Sequence, residues 1–221
     1  MIAIALDGPA GAGKSTVCQA VAKQLGIIHV DTGALYRAVG VYALRRGVDT
    51  ADWPGVIALL PDIHVSLRFT GEGQRIYLDG EDVSQAIRQP EASMAASNVS
   101  AIPQVRDFLL DLQRDLARRG SVIMDGRDIT TYVLQDAPYK FFITASPQVR
   151  AQRRLAQIRA QDPHTTVTLE EVTRAMEARD KAHACRAFAP LQQAADAVLV
   201  DTTYGSVEDD MKIILGTIRG R

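Results

Sequence analysis

The chain has 221 residues, which is one large domain or one domain with an insert at roughly 150 residues per domain. Hydrophobic residues make up 47% and charged residues 23%, the balance of a folded soluble protein and not of a disordered one. Lysine and arginine total 25 against 26 acidic residues, and a net charge of −1 excludes a global basic field for holding a nucleic-acid polymer or an anionic membrane.

The first 30 residues read as strand, loop, helix, strand. Ile2 to Leu6 is a continuous apolar run, the pattern of a strand buried on both faces. Gly8 to Gly13 is a glycine-rich loop. Val17, Ala20, Val21 and Leu25 fall at helical spacing before a capping Gly26. Ile27 to Val30 is a second buried-type strand ending at Asp31. A helix follows from Ala34 to Arg46. Ile63, Val65, Leu67 and Phe69 then alternate, Gly71-Glu72-Gly73 signals a turn, and Arg75 to Leu78 forms a second short strand. This antiparallel hairpin interrupts an α/β rhythm, so the stretch from Pro61 to Pro90 reads as an insert. Trp53, beside Pro54, reads as a loop residue that anchors packing.

Helical patterns resume over Glu91 to Asn98 and Val105 to Arg118. Val122 to Met124, Phe141 to Thr144 and Ala197 to Val200 are further buried-type strands. Ser146-Pro147 starts a helix, Thr168-Leu169-Glu170-Glu171 is a capping box for a helix reaching Ala184, and Ser206 caps the last helix. Five such strands alternating with helices predict an α/β protein with a parallel, doubly wound sheet. Ligands of such sheets lie beyond the carboxyl ends of the strands, here at Asp7-Gly8, Asp31-Thr32, Asp125-Gly126 and Ser146.

Gly8-Pro9-Ala10-Gly11-Ala12-Gly13-Lys14-Ser15 matches G-x-x-x-x-G-K-[ST] in full, and Thr16 follows it. Glycines let backbone N–H groups turn around phosphate oxygens, and the helix opening at Lys14 adds its positive end. Lys14 reaches the outer phosphates of a nucleotide, and the Ser15 hydroxyl suits Mg²⁺. The motif follows a buried strand and opens a helix, the context that marks a nucleotide-binding loop. No N/T-K-x-D motif is present, which argues against a GTPase. Arginines crowd the strand ends and one helix, and two anionic substrates would need such neutralisation. Arg45, Arg46, Arg118 and Arg119 read instead as solvated helix faces. Asp125, at the end of a buried strand, has two readings: a water-mediated Mg²⁺ ligand or a partner for Arg127.

The chain resembles the bacterial cytidylate kinase family, a group of P-loop nucleoside monophosphate kinases. The resemblance rests on D-G-P-A-G-A-G-K-S-T (Asp7 to Thr16), D-T-G-A-L-Y-R (Asp31 to Arg37), D-G-E-D-V-S-Q-A-I-R (Asp79 to Arg88), A-A-S-N-V-S-A-I-P-Q-V-R (Ala95 to Arg106), D-G-R-D (Asp125 to Asp128) and R-A-F-A-P-L (Arg186 to Leu191). These segments span nearly the whole chain. The resemblance implies a P-loop kinase fold, with a core over 1–60 and 101–221, a short lid near 150–168 and a monophosphate-binding insert over 61–100. It implies that Thr32, Tyr36 and Arg37 meet the acceptor phosphate together with Arg127. Ser97, Arg106 and Asp128 would read cytosine, whose amino donor and two acceptors complement a carboxylate, a guanidinium and a hydroxyl. Arg179 and Arg186 would lie near ribose and phosphates. Arg150, Arg153 and Arg154 would close on the donor phosphates from the lid, with Arg159 further along the same helix.

Two departures stand out. His183 occupies the place of an aspartate that binds ribose hydroxyls in the family, and a histidine is no full anion at pH 7. Ile129-Thr130-Thr131 replaces the family's usual Met-Gly-Thr after D-G-R-D. The expected reaction is phosphoryl transfer from ATP, with Mg²⁺, to CMP or dCMP, without a covalent enzyme intermediate. A kinase for another small acceptor such as UMP, or a non-catalytic nucleotide switch, is the alternative. Cys18 and Cys185 lack metal-ligand spacing and fit a reducing compartment. No signal peptide or membrane span is expected, so the reading is a cytoplasmic monomer acting on small nucleotides. His29, His64 and His164 read as structural or surface residues.

Overall fold

The computed structural model describes residues 1–71 and 73–220. The chain opens with β1 (Ala3–Asp7), α1 (Lys14–Leu25), β2 (Ile28–Asp31), α2 (Thr32–Arg45) and α3 (Trp53–Leu59). The short strands β3 (Val65–Thr70), β4 (Gly73–Leu78) and β5 (Glu81–Asp82) precede α4 (Pro90–Val99) and α5 (Pro103–Arg119). Then come β6 (Val122–Asp125), β7 (Tyr139–Thr144), α6 (Pro147–Gln161), α7 (Leu169–Ala184), β8 (Val198–Asp201) and α8 (Val207–Arg219). Five strands form a parallel sheet in the order β2–β6–β1–β7–β8, and β3–β4–β5 form a small antiparallel sheet. Among the described residues, no helix is long and apolar enough to cross a membrane.

The chain divides into two compact units, Met1–Ile27 with Ile123–Arg221, and Ile28–Val122. In the first unit, β1 pairs with β7 from Ile4 opposite Tyr139 to Asp7 opposite Phe142, and β7 pairs with β8. Ile4, Leu6, Val17, Val21, Ile123, Phe141, Ile143, Val200 and Ile214 form its core, all withdrawn from solvent. A buried side chain of this kind stabilises by roughly 1.5–3 kcal/mol relative to exposure. A second cluster of Ala151, Leu155, Val172 and Met176 joins α6 to α7.

Helix starts in this unit are set by local hydrogen bonds. Ser146 accepts from the Val149 amide with Pro147 in the first turn. Thr168 with Glu171, and Ser206 with Asp209, form reciprocal capping boxes on α7 and α8.

In the second unit, β3 alternates between half-buried Val65, Leu67 and Phe69 and exposed Ser66, Arg68 and Thr70, as expected of a strand with one wet face. It pairs with β4 from Val65 opposite Leu78 to Thr70 opposite Gly73. The turn expected at Gly71-Glu72-Gly73 includes Glu72, which lies outside the described residues. The buried face of α2 packs on α4, where a Cβ added at Gly40 would lie 2.7 Å from the Ala95 Cβ. This close approach lies within the compact unit of residues 28–122. Trp53 is not in a loop. It opens α3, with Pro54 in the helix's first turn, and is 45% exposed, so it does not anchor packing.

Candidate active site

The first unit is organised around the loop between β1 and α1. Gly8 leaves β1 at φ +148°, and a Cβ there would lie 1.9 Å from the Ile143 carbonyl oxygen, so only glycine fits the turn against β7. Three carbonyls and amides of the loop are then held from outside. The Ala10 amide donates to Asp180 Oδ1 at 3.4 Å, and the Ala10 carbonyl accepts from Arg150 Nη1 at 3.1 Å. Arg150 also pairs with Asp180 and donates from Nε to the Ala145 carbonyl at 3.0 Å. The Ala12 carbonyl accepts from Thr202 Oγ1 at 2.9 Å. Arg153 donates to Thr202 Oγ1 at 3.0 Å and to its carbonyl at 2.7 Å. Two of the three expected lid arginines thus brace the loop or its neighbour. Arg154 is half-buried and turns towards Gln157, and Thr16 is exposed.

Lys14 folds back on its own loop. Its Nζ donates to the Gly8 and Pro9 carbonyls at 2.8 and 2.7 Å, and the residue is buried. Burial first, then Arg127, lowers its pKa to about 7, against opposing pulls from Asp125 and Asp7. Ser15 Oγ donates to Asp125 Oδ2 at 2.9 Å. A hydroxyl and a carboxylate oxygen brought together at a strand end form a hard-donor pair that fits Mg²⁺. The geometry thus joins the two residues expected to hold the metal.

Beyond β6, Gly126 accepts from Arg127 Nη1 at 3.0 Å, and Asp128 is buried. The backbone then makes bonds of π-helical span, Val133 N–H to the Asp128 carbonyl and Leu134 N–H to the Ile129 carbonyl, at 3.1 and 2.8 Å. Asp7 closes this turn through Ile129 and Thr130. Burial is the main cause that raises its pKa to about 6, with Asp128 adding to it and the bonds from Thr130 opposing.

On α7, His183 is 3% exposed, and among the described residues neither ring nitrogen has a hydrogen-bond partner. Burial lowers its pKa to about 2, helped by Arg186, Arg127, Arg179 and Lys14 in that order. Four cations of the first unit thus disfavour the charged form of this imidazole. Cys18 and Cys185 form no disulfide.

In the second unit, Asp31 ends β2 and caps α2 by accepting from the Ala34 amide at 3.2 Å. Arg37, one helical turn further, donates to the same carboxylate at 2.6 Å. Thr32 is buried between them in sequence. Arg106 is buried on α5, donates to the Ser100 carbonyl at 3.2 Å, and lies 5.6 Å over the Tyr36 ring. Ser97 is half-buried on α4 and its carbonyl accepts from Ser100 Oγ at 3.1 Å. His64 is exposed beside Asp79, as a surface histidine.

Sequence reasoning assigned no role to Asp7, Thr130, Asp180 or Thr202. Three of them carried a signal: Asp7 as a strand-end acid beside the loop motif, Thr130 within the departure after D-G-R-D, and Asp180 as the residue after Arg179.

The sequence profile described as Cytidylate kinase matches residues 4–220. A cytidylate kinase of Pelotomaculum thermopropionicum is 47% identical over 220 residues, covering 97% of this chain and 95% of that protein. One of Caldicellulosiruptor bescii is 44% identical over 216 residues, covering 97% and 94%. Among solved structures, a shikimate kinase of Bacteroides thetaiotaomicron aligns over 99% of this chain and 98% of its own with a TM-score of 0.50 at 13% identity, a likeness of fold alone.

Proposed function

The chain belongs to the cytidylate kinase family, and from that premise we propose that it transfers the γ-phosphoryl group of ATP to CMP or dCMP, releasing ADP and CDP or dCDP. The observation that carries this reading is the complete phosphate loop, with Lys14 buried on the Gly8 and Pro9 carbonyls and Ser15 bonded to Asp125, in a unit where Lys14, Arg127, Arg179 and Arg186 all act on His183. A site for two polyanions needs that concentration of charge in a chain whose net charge is −1.

The backbone amides of residues 10–15 hold the donor phosphates. Lys14 exchanges the Gly8 and Pro9 carbonyls for phosphate oxygens when ATP arrives. Ser15 and Asp125 would hold Mg²⁺, whose contribution is to neutralise charge on the outer phosphates. Arg150 and Arg153 keep the loop in shape, and Arg154 is left to meet the donor directly. Thr32, Tyr36, Arg37 and Arg127 hold the acceptor phosphate. Ser97, Arg106 and Asp128 read the cytosine edge, and Arg179, His183 and Arg186 bind sugar and phosphate. The acceptor phosphate is already an anionic nucleophile at neutral pH, so no general base is required. Catalysis is alignment and charge stabilisation. The same reading makes the protein a cytoplasmic monomer.

A coupled ADP-release assay tests this with CMP, dCMP, UMP, AMP and shikimate as acceptors. CMP and dCMP should give the highest kcat/KM by at least tenfold. Preference for UMP or shikimate, or ATP binding without turnover on any acceptor, overturns the reading.

A further inference from the structure

Asp7 spans two functional segments. Its backbone ends β1 and leads directly into the phosphate loop at Gly8. Its side chain does not serve that loop. Oδ1 accepts the Ile129 amide at 2.8 Å, and Oδ2 accepts both the amide and the hydroxyl of Thr130, at 2.7 and 2.6 Å. Those two amides belong to the residues immediately after Arg127-Asp128. They are buried, and the turn that contains them has the wide hydrogen-bond span described above.

A carboxylate in this place is expensive for the fold. Asp7 is fully buried, and Asp128 adds a second acid nearby. Yet three donors reach two oxygens, and among side chains of this length only a carboxylate accepts at both ends. An asparagine would turn an N–H₂ group against one of the amides. The chain has placed a charge where a neutral residue could pack but could not hold the turn.

We propose that Asp7 is a positioning residue, which fixes Arg127 and Asp128 relative to the phosphate loop by clamping Ile129 and Thr130. This rests on the reading of Arg127 and Asp128 as acceptor-side residues. One residue then sets the spacing between the donor loop and the segment that holds the acceptor. Thr130 completes the clamp, since its hydroxyl supplies the third bond. The charged groups facing the carboxylate are Asp128 from the segment after β6 and Lys14 from α1. A protonated Asp7 loses acceptor capacity for three donors, so the clamp loosens on acidification.

The test is steady-state kinetics of Asp7→Asn and Thr130→Val, varying CMP at saturating ATP and ATP at saturating CMP, with circular dichroism to confirm folding. Asp7→Asn should lower kcat/KM for CMP at least tenfold while KM for ATP stays within twofold. Thr130→Val, which keeps the backbone amide, should raise KM for CMP about threefold with the same ATP profile. The monophosphate itself titrates near pH 6, so the pH dependence is read as a difference. The ratio of wild-type to Asp7→Asn kcat/KM for CMP should fall as pH drops from 7 to 5. Equal loss towards CMP and ATP, no loss in a folded variant, or a pH-independent ratio overturns the proposal. Should Asp7→Asn fail to fold, Thr130→Val decides alone by its CMP-against-ATP split. Wild-type protein inactive with CMP would instead refute the functional reading beneath it.

Discussion

His183 offers a direct test of the electrostatics of the first unit. The perturbation is acidification from pH 7 to pH 5. A histidine ordinarily titrates at 6.5, but in the folded chain burial and four cations hold this one at about 2. The folded state therefore refuses a proton that the unfolded chain accepts. By linkage, the stability that depends on a neutral ring is full above 6.5 and is lost as pH falls below it. At about 1.4 kcal/mol per pH unit, the loss by pH 5 is about 2 kcal/mol. Asp7 acts in the opposite sense: its folded pKa of about 6 lies above the ordinary 3.8, so acidification through that range relieves a buried charge. Comparison with His183→Gln removes this term, because both proteins carry Asp7. Urea unfolding followed by far-UV circular dichroism at the two pH values suits the measurement, since the single tryptophan, Trp53, lies in the other compact unit. Wild type should lose about 2 kcal/mol more than His183→Gln between pH 7 and pH 5. Equal losses in the two proteins would refute a buried neutral imidazole among cations.

Two further outcomes follow from the same charges. Lys14 lies near pH 7 without ligand, and its contact with phosphate oxygens calls for the ammonium form. MgATP binding at pH 8 should therefore take up most of a proton, and affinity should fall about tenfold per pH unit above 8. Titration calorimetry in buffers of different ionisation enthalpy measures the uptake, and a binding heat independent of buffer rules it out. His183→Asp should raise the ratio of kcat/KM for CMP over dCMP about fivefold, since a carboxylate accepts from both ribose hydroxyls and a neutral imidazole from only one. An unchanged ratio in competition assays would remove His183 from the sugar-binding set.

The parts of the fold that were legible in sequence are those whose cause is local. The strand ends at Asp7, Asp31, Asp125 and Asp201 follow short apolar runs, and the phosphate loop is written in consecutive residues. The caps at Ser146, Thr168 and Ser206 need only the residues beside them. The rest depends on partners far along the chain. Arg150 carries the same side chain as Arg154 and lies one turn away on the same helix. Arg150 turns inward because Asp180 and the Ala10 carbonyl receive it. Arg154 turns outward, towards Gln157. Helical periodicity says which residues share a face and not which carboxylate waits beneath it. Asp7 shows the same limit more sharply, since its partners are Ile129 and Thr130. The packing of α2 on α4 was hidden for a related reason: it depends on the fit of Gly40 against Ala95, and nothing in either segment alone announces the other.

The lowered pKa of Lys14 and the silent ring of His183 have a common origin. Arg127 acts on both, and each is buried where a charge is poorly solvated. A lysine that must later bind phosphate rests meanwhile on two carbonyls of its own loop, partly compensated by Asp125 and Asp7. Entry of an anion reverses the sign of the field that each group feels. Lys14 regains its full charge, and the imidazole no longer faces cations alone. This explains how a chain with almost no net charge can select small polyanions: the attraction lies in a few cations that act on one place in the fold.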